Sequence, residues 1–401
     1  MNPAPLDRAA VEACLAGSGT MLPQGAYTDQ AVLDWERKVV FAGGWVCVGR
    51  AGDVPARTRR AVGVGDDAVL LMRDDDGVLR GFYNTCRHRA HELLPCGTSS
   101  TGRFLTCPYH SWVYDNAGRL HKVPYAEASG IDDAARDGLG LVPVAVAEWH
   151  GFVFVNASGS APPLHRYLGP SLDTRFAPYE LERIEVAGRH EYVVEANWKL
   201  LVENYQECYH CSTIHPELCR VSSPDSGGSF EPDGLWIGGD MELLDGVATM
   251  SLDGRAGAPP MRALTGRQLR DVVYLQLFPN LLLSVHPDYV MTHVLEPLAP
   301  DRTNVVCEWL FPPETIAADG FDPAYAVDFW DVTNRQDWAA CAGVQRGVAS
   351  RGYRPGPLSP GHEDTVFQTI AVLARAYLDG ALPAVTSSDR NGSHVRQQTG
   401  T

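Results

Sequence analysis

The chain has 401 residues, 45% of them hydrophobic and 20% charged, enough to bury a large core and too long for one typical domain of about 100–200 residues. Its 33 Lys plus Arg stand against 49 Asp plus Glu, a formal charge of −16, which argues against nucleic acid or an anionic membrane surface as a partner. The starting expectation is an acidic, soluble protein of two domains.

At the amino end, residues 1–22 lack the basic start and long apolar run of a secretory signal. No later stretch reaches about 18 uninterrupted apolar residues, so a cytoplasmic location is expected. Ten cysteines, at positions 14, 47, 86, 96, 107, 208, 211, 219, 307 and 341, read in that setting as thiols and metal ligands rather than as a disulfide framework. Residues 29–42 have the apolar spacing of a helix, and short β-type runs follow, such as residues 68–85 and 102–120, separated by Gly and Asp turns. Residues 41–160 therefore read as a small antiparallel β domain, which ends where the strand-like WHGFVFVN runs into Gly, Ser and Pro.

Inside that domain, Cys86-x-His88 is followed after 18 residues by Cys107-x-x-His110. Two thiolates and two imidazoles suit tetrahedral zinc, and the same set divided over two irons is the Rieske [2Fe–2S] arrangement. Zinc ribbons pair their ligands as C-x₂₋₄-C, whereas a C-x-H loop matched to a C-x₂-H loop is the Rieske spacing. NTCRHRAHEL and CPYHSWVYDNAGRL resemble the Rieske ferredoxin-type domain. Ala90 and Ser111 stand where that family usually has Gly. Tyr109 stands where respiratory-type members carry an extra Cys, which implies the lower-potential oxygenase kind. Cys96, between the loops, reads as a bystander thiol.

From residue 161 the pattern is mixed. A helix is expected over Trp198–Tyr209, strands over residues 274–286, 289–300 and 303–313, and a long helix over Tyr325–Val348. Residues 222–233 and 351–361, rich in Gly, Ser and Pro, read as loops, and the last 15 residues as a polar tail. In NWKLLVENYQECYHCSTIHPELC, Glu207 and His210 are three apart and would share a helix face, with His215 joining as the helix ends before Pro216. Two imidazoles beside a carboxylate begin a 2-His-1-carboxylate triad, which holds Fe(II) with positions left open. Taken alone, two histidines five apart are more often ordinary surface or core residues.

Following a Rieske pattern, however, NWK, EN, ECYHC and HP together resemble the catalytic domain of Rieske non-haem iron oxygenases, in order and over most of the chain. The resemblance implies an α+β protein: the Rieske domain, then a helix-grip catalytic domain over 161–401, with residues 1–40 packed on it. In that domain an antiparallel sheet wraps on a long carboxy-terminal helix. It implies a third iron ligand in FWDVTNRQDWAACAGVQRG, where Asp337 is the choice and Asp331 and Asp328 are competitors. It implies oxygen insertion from O₂, with electrons from a separate reductase, with or without a ferredoxin between them. No G-x-G-x-x-G unit follows a strand and no P-loop is present, so no bound nicotinamide or flavin is expected.

Aromatic-ring dioxygenases have Asp where this chain has Glu207, and ECYHC resembles the glycine betaine, stachydrine and carnitine oxygenases. A small N-methylated or quaternary ammonium substrate is thus implied, hydroxylated or N-demethylated, with Tyr205 and Trp330 as pocket walls whose ring faces attract the cation. Relatives form homotrimers in which the cluster of one subunit, through the counterpart of His110, meets the counterpart of Glu207 in the next. The rival readings are an aromatic-ring dioxygenase and a non-enzymatic metal-binding or electron-transfer protein.

Overall fold

The computed structural model describes residues 2–125, 130–131 and 133–384, so the polar last 15 residues lie outside the described residues. The first half builds β1 (Val46–Arg50), β2 (Thr58–Val64), β3 (Asp67–Arg73), β4 (Leu79–Tyr83) and β5 (Ser99–Thr101), then β6 (Phe104–Thr106), β7 (Val113–Asp115) and β8 (Leu120–Lys122), and finally β9 (Pro143–Trp149) and β10 (Phe152–Asn156). One antiparallel sheet runs β1-β10-β9-β4-β3-β2-β5, and β6-β7-β8 form a small separate sheet. β10, FVFVN, is buried at every position, because one face meets its own sheet's core and the other meets the second half of the chain.

The second half builds one antiparallel sheet in the order β11-β17-β16-β15-β14-β13-β12. Its strands are β11 (Glu185–Val194), β12 (Gly228–Ser229), β13 (Trp236–Glu242), β14 (Asp271–Leu277), β15 (Leu281–Val285), β16 (Val290–Ala299) and β17 (Arg302–Phe311). The run expected as one strand over 274–286 is two strands: Leu277 pairs with Leu281, and Phe278, Pro279 and Asn280 form the turn. Pro279 has no N–H for a ladder, so the chain reverses there. Asn280 then clamps the two halves together. Its Oδ1 accepts from Cys47 N and its Nδ2 donates to Cys47 O, both at 2.9 Å, as a strand neighbour of β1 would.

The helices that position the site are α1 (Arg8–Ala13), α2 (Gln24–Thr28), α3 (Gln30–Glu36), α4 (Trp198–Tyr205), α5 (Cys211–Ile214), α6 (Ala324–Val348) and α7 (Asp364–Asp379). The helix expected over Trp198–Tyr209 stops at Tyr205. Asn197 caps its start by accepting from Lys199 N at 3.1 Å, and a turn over 206–210 separates it from α5. α4 is buried on nearly all sides and packs on α6, α7 and β16. A fully buried ion pair fixes it: Lys199 Nζ lies 2.7 Å from Glu36 Oε1 of α3, and both side chains have no exposure. Trp198 Nε1 donates to the other oxygen of Glu36 at 2.8 Å, and the Tyr377 hydroxyl of α7 donates to Oε1. One turn further along α4, Glu203 accepts from the Tyr27 hydroxyl at 2.8 Å, and burial raises its pKa to about 7.

Removing one member of this pair leaves a naked buried charge. Lys199→Met is expected to cost about 3–5 kcal/mol in chemical denaturation, whereas Glu36→Met with Lys199→Met should regain most of the loss. A single substitution costing under about 1 kcal/mol would show that the pair does not hold α4.

Candidate active site and cluster loops

Cys86 and Cys107 sit at the inner ends of two matched turns, both buried to within 2%. In the first turn Cys86 N donates to His91 O at 2.9 Å and Ala90 N to Cys86 O at 3.0 Å. In the second, Cys107 N donates to Trp112 O at 2.7 Å and Ser111 N to Cys107 O at 3.0 Å. Both turns require a left-handed residue, and Ala90 and Ser111 supply it at φ +54° and +55°. That conformation costs a non-glycine residue about 1–2 kcal/mol, which explains why glycine is usual at both places in the family. The His88 and His110 rings lie 4.5 Å apart at the turn tips, where His88 is exposed and stacks on Trp112. Burial pushes the Cys86 thiol up, and the Tyr114 hydroxyl 3.4 Å from its sulfur pulls the other way. Two thiols inside and two imidazoles outside fit a cluster held at the domain surface. Cys96 is an exposed free thiol near Gly63 of β2.

In the second half, His210 and His215 bracket the short helix α5 as its first and last capping residues. Glu207 does not share a helix with His210, contrary to the expectation from spacing. Its carboxylate accepts the backbone N–H groups of Tyr209 and His210, a bonding that turns the chain instead of extending α4. The same carboxylate bonds His210 Nδ1 and leaves Nε2 facing the cavity. His210 Nε2 lies 3.1 Å from His215 Nε2 and 3.4 Å from Asp337 Oδ1, and His215 Nε2 lies 2.9 Å from Asp337 Oδ1. Metal–ligand bonds of about 2.1 Å place neighbouring ligands of an octahedron about 3.0 Å apart, so these three atoms fit one octahedral face. Burial opposes protonation of His210, but hydrogen bonds to Asp337 and Glu207 outweigh it and raise the pKa to about 9. Burial likewise disfavours the charged form of Asp337, and the two imidazoles still hold its pKa below the usual carboxylate value. The site thus attracts positive charge.

Six residues turn an α-helix by about 600°, so Asp331 and Asp337 leave α6 on different sides. Asp331 accepts from the Tyr192 hydroxyl and from Arg335 Nε, each at 2.7 Å, away from the histidines, and Asp328 is exposed. Two features escape a reading of spacing. Gln336 Oε1 bonds His215 Nδ1 at 2.7 Å, and Gln336 Nε2 donates to Glu217 at 3.2 Å, which fixes the tautomer with His215 Nε2 free. Cys208 and Cys211, expected as thiols, are joined in a disulfide, the turn at 206–210 having brought them face to face.

Glu207, His210, His215, Asp337 and the two bridged cysteines line a cavity of about 750 Å³. Tyr205, Tyr274 and Trp330 form one wall, and their polar ends are engaged elsewhere: Tyr205 with Leu283 O, Tyr274 with Met250 Sδ, Trp330 with the Tyr289 hydroxyl. Ring surface is what remains for a ligand. Glu207, Asp225, Asp240, Asp337 and Asp364 also line it, and no Lys or Arg does so among the described residues.

The Rieske [2Fe-2S] domain family matches residues 44–145, and the family described as ring hydroxylating alpha subunit (catalytic domain) matches residues 181–379. The oxygenase subunit of glycine betaine monooxygenase from Chromohalobacter salexigens is 32% identical over 85% of this chain and 82% of that protein. The oxygenase subunit of carnitine monooxygenase from Escherichia coli K12 is 31% identical over 83% of this chain and 85% of that protein. Among solved structures, a quaternary ammonium Rieske monooxygenase aligns with a TM-score of 0.77 at 22% identity, over 94% of this chain and 100% of that one. Naphthalene 1,2-dioxygenase from Rhodococcus sp. aligns at 0.71 and 20% identity, over 92% and 98%. Two matched Cys/His loops in the first half, a histidine and carboxylate cluster in the second, and these matches place the chain among the Rieske non-haem iron oxygenases, as a catalytic (alpha) subunit.

Proposed function

We propose that the chain hydroxylates a methyl group of a small N-methylated or quaternary ammonium compound, with O₂ and electrons from a separate NAD(P)H-dependent reductase. The observation that carries this reading is the cavity itself: ring surface from Tyr205, Tyr274 and Trp330, several carboxylates, and no Lys or Arg among its described lining residues. An ammonium ion gains from ring faces within about 6 Å, and a negative mouth raises the local concentration of cations. The curated relatives named for glycine betaine and carnitine support the same class.

In this reading Cys86, His88, Cys107 and His110 hold the [2Fe–2S] cluster, and His210, His215 and Asp337 hold the mononuclear iron. Bound there, the two centres supply one-electron transfer and O₂ activation. Glu207 and Gln336 orient the two imidazoles through their Nδ1 atoms, so that both Nε2 atoms face the metal position. The aromatic wall fixes the ammonium head, and with it a methyl group, beside that position.

The metal assignment predicts three irons and two acid-labile sulfides per chain. Asp337→Ala should lose about one iron and all turnover while the visible spectrum of the cluster persists. Asp331→Ala should keep all three irons, and the reverse pattern would move the ligand to Asp331.

For the substrate, O₂-dependent release of formaldehyde is expected from betaine-like compounds supplied with a surrogate reductase. Conversion of an aromatic ring to a cis-diol, with no turnover of ammonium compounds, would favour the aromatic-ring dioxygenase reading instead.

We further propose a homotrimer in which His110 of one subunit reaches Glu207 of the next. In support, His110 is partly exposed at a turn tip and Glu207 is a partly exposed lining residue of the cavity, and a heterologous ring can close on such a pair of surfaces. Co-expressed His110→Ala and Asp337→Ala chains, each inactive alone, should regain activity in mixed oligomers. Mixed oligomers that remain inactive would exclude transfer between subunits.

A further inference from the structure

The disulfide lies beside the metal position. Cys208 and Cys211 enclose Tyr209 and His210 in a four-residue ring, and both cysteines line the cavity. Cys211 Sγ lies 3.9 Å from His210 Nε2, and donor atoms of His210, Cys211 and His215 all fall within 4.8 Å of one another. The sulfur therefore lies within reach of the same two imidazoles that face Asp337 Oδ1. The other eight cysteines are free.

A disulfide sulfur is a poor metal donor, whereas a thiolate is a strong one. Two imidazoles and a carboxylate suit Fe(II), and replacing or supplementing the carboxylate with a thiolate shifts preference toward zinc. We propose that the Cys208–Cys211 disulfide is a redox-operated lock on metal choice: closed, it withholds the Cys211 sulfur and leaves the position to His210, His215 and Asp337; opened, it adds a thiolate that recruits zinc. Opening is thiol–disulfide exchange with a dithiol. The S–S bond takes two electrons and two protons and breaks, and the dithiol becomes a disulfide. When Cys211 then binds a metal, its proton passes to solvent.

Two substitutions separate this idea from a merely structural bond, because each destroys the disulfide and only one leaves the critical sulfur. Cys208→Ser keeps a permanently free Cys211, and Cys211→Ser removes that sulfur. Full-length protein is stripped of its mononuclear metal by a chelator, with the cluster spectrum as a check of integrity. It is then offered equal Fe(II) and Zn(II) under argon, and the bound metals are counted. Oxidised wild type and Cys211→Ser should retain a similar zinc-to-iron ratio. Cys208→Ser, and wild type reduced with dithiothreitol and desalted, should raise it several-fold. Loading with Co(II) gives a readout free of activity: a sulfur-to-cobalt charge-transfer band is expected in Cys208→Ser and reduced wild type only. Equal ratios in the two variants, or no such band in Cys208→Ser, would overturn the proposal.

Discussion

The buried Lys199–Glu36 pair fixes α4, the helix from which the chain turns into the cavity. It ties α4, which leads into the turn of Glu207 and His210, to α3 before the first sheet and, through Tyr377, to α7 at the far end of the described chain. Charges removed from water are expensive unless matched, and here the Glu36 carboxylate accepts from an ammonium, an indole and a phenol at once. A geometry so fully used has little freedom to shift. The segments at either end of the chain act as a brace for the site although neither supplies a residue to the proposed metal set.

The turn after α4 converts that anchorage into chemistry. Glu207 spends its carboxylate on two backbone N–H groups and one imidazole, so a single side chain both bends the chain and aims His210. From α6, Gln336 aims His215 through its Nδ1, and its neighbour Asp337 reaches the other side of that imidazole. Each imidazole is held by one nitrogen and presented by the other, as metal ligands require.

Much of this was legible in the sequence because the chemistry is local there. Cys86, His88, Cys107 and His110 lie on two short loops whose spacing and flanks distinguish them, and the positive φ at Ala90 and Ser111 shows why glycine would be the easier residue at both turns. Glu207, His210 and His215 fall within nine residues, and the structure brings all three to the cavity with Asp337, Tyr205 and Trp330. What was not legible depends on contacts remote in sequence or on a turn. Helical spacing suggested a shared face for Glu207 and His210, and the side chain's competition for backbone N–H groups produced a turn instead. The disulfide follows from that turn. Gln336 is 121 residues from His215, and nothing in its flanks announces the contact. Pro279 was visible, but the long apolar run around it hid the reversal between β14 and β15.

Asn280 has a mechanical consequence. Its side-chain amide bonds both backbone groups of Cys47, and Leu295 N donates to its backbone carbonyl at 2.9 Å, so β1 is stitched to the neighbouring sheet at a point within a shared apolar core. Rotating one half against the other would break several buried bonds together and open that core to water. The joint is a weld and not a hinge. Within one chain, the loops of Cys86 and Cys107 therefore keep a constant separation from the cavity of His210 and Asp337, and neither half can swing to bring them together.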